Sequence, residues 1–409
     1  MDEVKTKVYG YRWMVLLAFV PIALMTQVLW ITFAPITSVA VRFYNTSDLM
    51  IGLLSMSFMV VYILMFLPAA WVIDTWGFKI AVGSGAVLSA VFGLSRGIFA
   101  SNFTIVFISQ VGIAAGQPFV LGSITKVAAR WFPAKERATA TGLGTLALYL
   151  GPLAAMLLSP FLVLRIGLPR MLTAYGIATA AAAAVFLIVA REHPPTPAGR
   201  DERVLMLDGL KSMIRQKDFL FLLIMFFVGL GMFNSISTWI EDIVRPRGFS
   251  ISQAGLLGGL MLIGGIIGAV VVPLFSDKSR RRKPFLVMAL AGLLPGLIGI
   301  TFAESYGLLL ASGFLFGFFL LSAGPIGFQY AAEITHPAPE GTSNSLLLVA
   351  GQISGILFIL GMNALKSPVS KAMTGSLLIL AGLTAVGVVL AARLRESPLF
   401  DPLAGIHGR

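Results

Sequence analysis

The residues able to do chemistry in this 409-residue chain are few, and most sit inside long apolar runs. Gln27 and Trp30 lie in the first run, Gln117 in the fourth beside Pro118, and Tyr149 in the fifth. Phe233, Asn234, Ser237, Thr238 and Trp239 crowd the seventh, Gln329 and Tyr330 the tenth, and Gln352 falls in the eleventh. Aromatic faces hold cationic or methylated head groups, and neutral amides orient a hydroxyl or an amine without adding charge. The chemistry this set supports is binding. Taken singly, each of these residues reads more readily as a contact between helices than as a ligand contact; their concentration in a few runs is what argues for a site. The three histidines, at 193, 336 and 407, are isolated from one another, and there is no cysteine. A clustered nucleophile set of an integral-membrane enzyme is therefore not expected, nor are a thiolate metal site, a disulfide or a cofactor.

The elements that must carry these residues follow from composition. The chain is 57% hydrophobic and 12% charged, with mean hydropathy +0.90, whereas a soluble domain carries roughly 25% charged residues. About 20 apolar residues in a helix cross a bilayer. Twelve segments meet that length, at 13–39, 49–72, 79–99, 103–128, 139–163 and 171–190, then 219–243, 252–275, 284–303, 306–332, 344–365 and 373–392. The expected class is an all-α membrane protein. A net charge of +12 raises the question of nucleic acid, but the basic residues sit between apolar segments, so topology explains them and no nucleic-acid partner is expected. With both termini cytoplasmic, 22 Lys and Arg fall inside and seven outside, and Arg96 lies near the outer end of segment 3. The apolar run after Arg12 is too long for the core of a cleavable signal peptide. The expected location is the plasma membrane.

The chain also repeats itself. Asp74-Thr75-Trp76-Gly77-Phe78-Lys79 after segment 2 returns as Asp277-Lys278-Ser279-Arg280-Arg281-Arg282 after segment 8, 203 residues on. Pro133-Ala134-Lys135-Glu136 is echoed 204 residues on by Pro337-Ala338-Pro339-Glu340, and Trp30 lies 203 residues before Phe233. Between the halves runs a Pro- and Arg-rich stretch with an amphipathic segment at 204–214. This organisation predicts two six-helix bundles, 1–190 and 219–409, joined by a cytoplasmic linker at 191–218. Gating contacts are expected at Asp74, Lys79, Asp277 and Arg281. The loop with Arg130, Lys135 and Arg137 is basic, and its repeat with Glu333 and Glu340 is acidic. Opposite charge suggests a latch between the two loops; two independently solvated turns are the alternative.

The turn after segment 2 resembles the Gly-x-x-x-Asp-Arg-x-Gly-Arg-Arg signature of the major facilitator superfamily, with Ala70 and Thr75 as departures; its repeat departs at Pro273 and Arg280. Glu-Ile-Thr-x-Pro-x-x-Glu-Gly-Thr-Ser at 333–343, followed by Gly351-Gln352-Ile353-Ser354-Gly355, is similar to the feline leukaemia virus subgroup C receptor family. Val41-Arg42-Phe43-Tyr44, Ile73-Asp74-Thr75-Trp76-Gly77 and Gln117-Pro118-Phe119-Val120-Leu121-Gly122 match as well. The resemblance implies two pseudo-symmetric bundles, a central cavity lined by segments 1, 4, 5, 7, 10 and 11, and alternating access. It also implies a choline, ethanolamine or heme substrate, and places Trp30, Gln117 and Gln352 where the family has its pocket Trp and two Gln. Asn234 stands where choline-transporting members carry Tyr, a departure that Phe233 or Trp239 is positioned to offset.

No Asp, Glu, Lys, Arg or His falls near the middle of any segment. That favours facilitated diffusion of a small organic cation or zwitterion by a monomer in the bilayer. A proton-coupled carrier of another amphipathic molecule, heme included, would have to use Glu241 or Asp242 at the end of segment 7. A receptor is disfavoured by the short external loops.

Overall fold

A computed structural model describes residues 9–195, 213–335 and 340–397, except for the side chains of Ala134, Glu340 and Gly341. Most of the amphipathic stretch expected at 204–214, and residues 336–339, lie outside the described residues. The chain divides into two compact units, Met1–Arg203 and Val204–Arg409. Among the described residues every regular element is helical, and twelve helical segments are long and apolar enough to cross a membrane. Spans 1–6 are Tyr11–Tyr44, Asp48–Trp76, Phe78–Ile98, Phe103–Trp131, Lys135–Ile166 and Leu168–Val189. Spans 7–12 are Lys217–Thr238, Ile251–Ser279, Lys283–Phe302, Tyr306–Thr335, Thr342–Ala364 and Thr374–Arg393. Hydrocarbon offers no partner for a backbone N–H or C=O, so apolar runs of this length must satisfy these groups internally, as helices.

Helix starts repeat between the units. The Ser47 hydroxyl accepts the Met50 N–H at the head of span 2. Ser250, 203 residues on, does the same for Gln253 at the head of span 8, and the Gln253 side chain returns a bond to the Ser250 N–H at 2.9 Å. Inside each unit, glycines let helix backbones touch. In the first, Gly85 of span 3 and Gly116 of span 4 face each other so closely that a Cβ on either would meet the other's carbonyl oxygen. In the second, a Cβ on Gly317 of span 10 would collide with the Met261 carbonyl of span 8. Small residues are the means by which spans approach without a hydrophobic driving force between them.

Span 3 starts directly after Gly77, whose φ of +88° suits only glycine. The exposed N–H groups of that helix start are bound by a carboxylate from beyond span 6. Glu192 accepts from Phe78 N at 3.2 Å and from Lys79 N at 2.7 Å. The second unit repeats the device: Glu396, after span 12, accepts from Arg282 N at 2.6 Å and Lys283 N at 3.3 Å, at the start of span 9. An anion at a helix N-terminus meets both the unpaired donors and the positive end of the helix dipole. Glu192→Gln and Glu396→Gln should each destabilise the protein by about 1–2 kcal/mol, the scale of charge-assisted bonds at such a site. Thermal unfolding in detergent reads this directly, and unchanged melting temperatures in both variants would mean that water serves those N–H groups equally well.

Candidate substrate-binding site

Span 1 is not one helix. Tyr11–Ile31 gives way to a turn at residues 32–33, a short 3-10 segment at Ala34–Ile36 carrying Pro35, and a second helix at Thr37–Tyr44. Gln27 and Trp30, three residues apart and so on one face, occupy the last turns before this break. Both are nearly buried, at 6% and 8% exposure. Span 4 is broken likewise. Helix Phe103–Leu121 ends just after Gln117-Pro118, and a new helix runs Ile124–Trp131. Gln117 is 7% exposed. Neither Gln27 nor Gln117 hydrogen-bonds to another described residue, so two amides are held in the interior of the first unit without internal employment. Tyr149 is half-buried on span 5, whose Gly151 lets it close on span 1: a Cβ there would meet the Leu24 carbonyl and the Gln27 Cβ.

In the second unit, spans 7 and 11 pack through Gly231 against Ser354 and through Gly351 against Leu230. That approach brings Asn234 to Gly351, whose carbonyl accepts from Asn234 Nδ2 at 3.4 Å. Asn234 thus sits against the residue before Gln352, which is half-buried and whose amide bonds to no other described residue. Phe233 is half-buried next to Asn234.

Two expected pocket residues make bonds within their own unit. Trp239 is fully buried, and its indole N–H donates to the Ile359 carbonyl at 3.1 Å, so the ring ties span 7 to span 11. Tyr330 is fully buried in the cluster with Phe219, Leu222 and Phe226, and its hydroxyl donates to the Arg395 carbonyl at 2.9 Å. Each polar tip is thus bonded inside its own unit. A buried Trp or Tyr finds a partner for its polar tip in a core as readily as in a pocket, so residue type alone did not separate the cases.

The gating candidates fall into separate networks within each unit. Asp74 pairs with Lys126 at 3.3 Å, and Lys79 contributes its backbone N–H to Glu192. Arg130 lies against His193, and Arg137 donates to the Phe132 carbonyl at 3.2 Å. Arg12, which sequence reading passed over, pairs with Glu136 at 3.0 Å. In the second unit the organising residue is Arg282; its neighbour Arg281 is exposed. Arg282 donates to Glu333 at 2.9 Å and to the Asp277 carboxylate, and Gln329 adds a bond to Glu333 at 3.1 Å. Burial by itself lowers the Arg282 pKa, but hydrogen bonds and charge from Glu333 and Asp277 outweigh it and hold the guanidinium above its ordinary value. Glu333, 8% exposed, is therefore engaged inside its own unit. The Glu340 side chain lies outside the described residues.

Glu241 and Asp242, the expected coupling acids, are almost completely buried beside two cations. Asp242 Oδ1 accepts from Arg245 and from Lys366, both at 2.8 Å, and Glu241 lies 3.7 Å from Arg245. Two acids and two bases thus form a charge-balanced cluster at the end of span 7.

The Major Facilitator Superfamily profile matches this chain over residues 8–359 and 241–402. Solute carrier family 49 member A3 from Danio rerio is 32% identical over 380 residues, covering 88% of this chain and 80% of that protein. The choline/ethanolamine transporter FLVCR1 of Mus musculus is 28% identical over 429 residues, covering 96% and 76%. Among solved structures, an inward-facing, unoccupied bacterial homologue of the human lysosomal transporter Spinster superposes with a TM-score of 0.72 at 16% identity, over 95% of this chain and 97% of that one. The nucleoside transporter NupG gives 0.73 at 12% identity, over 93% and 99%. Twelve spans, the repeated helix starts and these likenesses agree: the chain is an integral membrane transporter of the major facilitator superfamily, related to the solute carrier 49 and FLVCR proteins.

Proposed function

We propose that this transporter moves a small organic cation or zwitterion of the choline or ethanolamine type by alternating access. The observation that carries the reading is a set of amides that bond to no described residue, Gln27 and Gln117 nearly buried in one unit and Gln352 half-buried in the other, with the Trp30 indole one turn from Gln27. A quaternary ammonium is held by an aromatic face at roughly 0.5–2 kcal/mol per ring without a formal counter-charge. Amides orient a hydroxyl or amine and cost less than a carboxylate when an empty site is sealed from water. That a relative matched over 76% of its length is a choline/ethanolamine transporter supports the same class. With Trp239 and Tyr330 assigned to packing, Phe233 and Tyr149 are the remaining rings, and Asn234 contributes a third kind of amide contact.

Transport is facilitative in this reading. A proton-carrying acid must gain and lose its charge through the cycle, and Asp242 already pairs with two bases in a charge-balanced cluster. The termini are cytoplasmic, the plasma membrane is the site of action and the monomer is the working unit.

Choline affinity of purified variants tests the pocket. Trp30→Ala should weaken binding more than Trp30→Phe, which keeps a ring. Gln117→Ala and Gln352→Ala should each cost about 1 kcal/mol, near fivefold in Kd. Three alanine variants that bind like the parent would move the site elsewhere. Proteoliposome uptake tests the energetics. Flux should proceed at equal pH on both sides and respond to membrane potential, at about 2.3 kcal/mol per charge per 100 mV. An absolute requirement for a pH gradient that disappears in Asp242→Asn would establish coupling instead.

A further inference from the structure

Arg96 is fully buried in span 3, and it is a charged side chain that the transport reading leaves unused. No carboxylate hydrogen-bonds to it or pairs with it among the described residues. Its Nη1 donates to the Gln110 side-chain oxygen at 2.6 Å and to the Leu29 carbonyl at 3.2 Å, and Nη2 lies 3.5 Å from the Thr32 hydroxyl. Its guanidinium centre sits 5.5 Å from the Phe33 ring centroid. The ionisable groups acting on it are the phenols of Tyr44 and Tyr175. A guanidinium without an acid in a dry interior is costly, and a Met or Leu would fill similar volume at less cost. The charge therefore needs a purpose.

The purpose is visible in what Arg96 touches. Gln110, fully buried on span 4, uses both ends of its amide: the oxygen accepts from Arg96, and the nitrogen donates to the Leu29 carbonyl at 3.0 Å. The Leu29 carbonyl thus takes donors from spans 3 and 4. Its neighbours are also held. Thr32 donates to the Val28 carbonyl at 2.7 Å, and Ser55 of span 2 lies within 3.4 Å of the Trp30 carbonyl. Three consecutive carbonyls, at the place where the first helix of span 1 ends, are gripped by side chains from four spans. Trp30 lies in the middle of that grip.

We propose that Arg96 and Gln110 are positioning residues for substrate binding, clamping the broken turn of span 1 so that the Trp30 indole is presented at a fixed height and angle. This rests on the reading of Trp30 as a substrate contact. The planar guanidinium spreads its donors, with Nη1 on the Leu29 carbonyl and the Gln110 oxygen while Nη2 faces the Thr32 hydroxyl, a spread that the single nitrogen of lysine cannot reproduce in full. The remaining charge is met by the Phe33 ring and by carbonyl and amide oxygens.

The test separates positioning from folding and from substrate identity. Hydrogen–deuterium exchange on the purified, ligand-free protein should show residues 28–36 exchanging about tenfold faster in Arg96→Met and in Gln110→Leu. The bodies of spans 3 and 4 should stay protected, and Arg96→Lys should fall between parent and Met. Choline binding should weaken about tenfold in Arg96→Met, but Arg96→Met added to Trp30→Ala should cost no further affinity, because the two changes remove the same contact. If Arg96→Met does not fold, Gln110→Leu and Arg96→Lys carry both measurements. Unchanged exchange at 28–36 in all folded variants, or faster exchange spread evenly over spans 3 and 4, would overturn the proposal. Full additivity of the two substitutions in choline binding would do the same. Faster exchange at 28–36 in the variants, with a parent that binds no choline, would leave the clamp standing and overturn the substrate assignment alone.

Discussion

Every backbone N–H and C=O inside a bilayer needs a partner from the protein, and the architecture of this transporter depends on that single demand. Where the chain is uniformly apolar, helices meet it internally. Where a helix starts or stops, a side chain must stand in. Ser47, Ser250 and the pair Glu192 and Glu396 do so at helix starts. Arg96, Gln110, Thr32 and Ser55 do so at the break in span 1. The polar residues of the apolar core are thus mostly repairs to the backbone ladder, and those not so employed, Gln27, Gln117 and Gln352, stand out by contrast.

Charge follows the same economy. Two cationic centres of the second unit are paired sets: Arg282 with Glu333 and Asp277, and Arg245 with Lys366 around Asp242 and Glu241. A pair already compensated gains little from a new partner, and removing one member leaves the other buried and exposed to the full desolvation cost. Such sets hold loops and helix ends in place.

Much of this was legible in the sequence. Twelve apolar runs of spanning length, the 203-residue echo of Asp74 at Asp277 and the position of Trp30 before a proline-bearing stretch follow from residue type and spacing. The observed spans run past the apolar runs, to Tyr44 for the first and from Lys135 for the fifth, because helical hydrogen bonding continues where side chains already reach the interface. What spacing does not carry is direction and partner. Tyr330 and Gln117 both read as polar groups in an apolar run, yet one hydroxyl closes on the Arg395 carbonyl and the other residue's amide bonds to no described residue. Arg281 and Arg282 are adjacent and identical in type; only the fold decides which one meets Glu333. A signal for the capping acids was present, since Arg191-Glu192 and Arg395-Glu396 follow the last span of each half, each two residues before a proline.

The two halves share their scaffold and differ in their polar content, and that difference is where specificity has room to arise. Helix starts, capping acids and the turn after the second span recur at offsets of 203–204 residues, because any six-span bundle must satisfy the same backbone groups. The clamp of Arg96 and Gln110 has no such duplicate: 203 residues past Trp30 stands Phe233, inside the helix Lys217–Thr238, which continues unbroken for five more residues. A helix that does not break leaves no carbonyls to be gripped, so the second unit has no use for a buried guanidinium there. Its counterpart to the Trp30 turn is instead the contact of Asn234 with Gly351, a neutral bond between two helices. One half therefore holds the broken turn at Trp30 with a buried charge, and the other sets an amide beside Gln352 by close glycine packing.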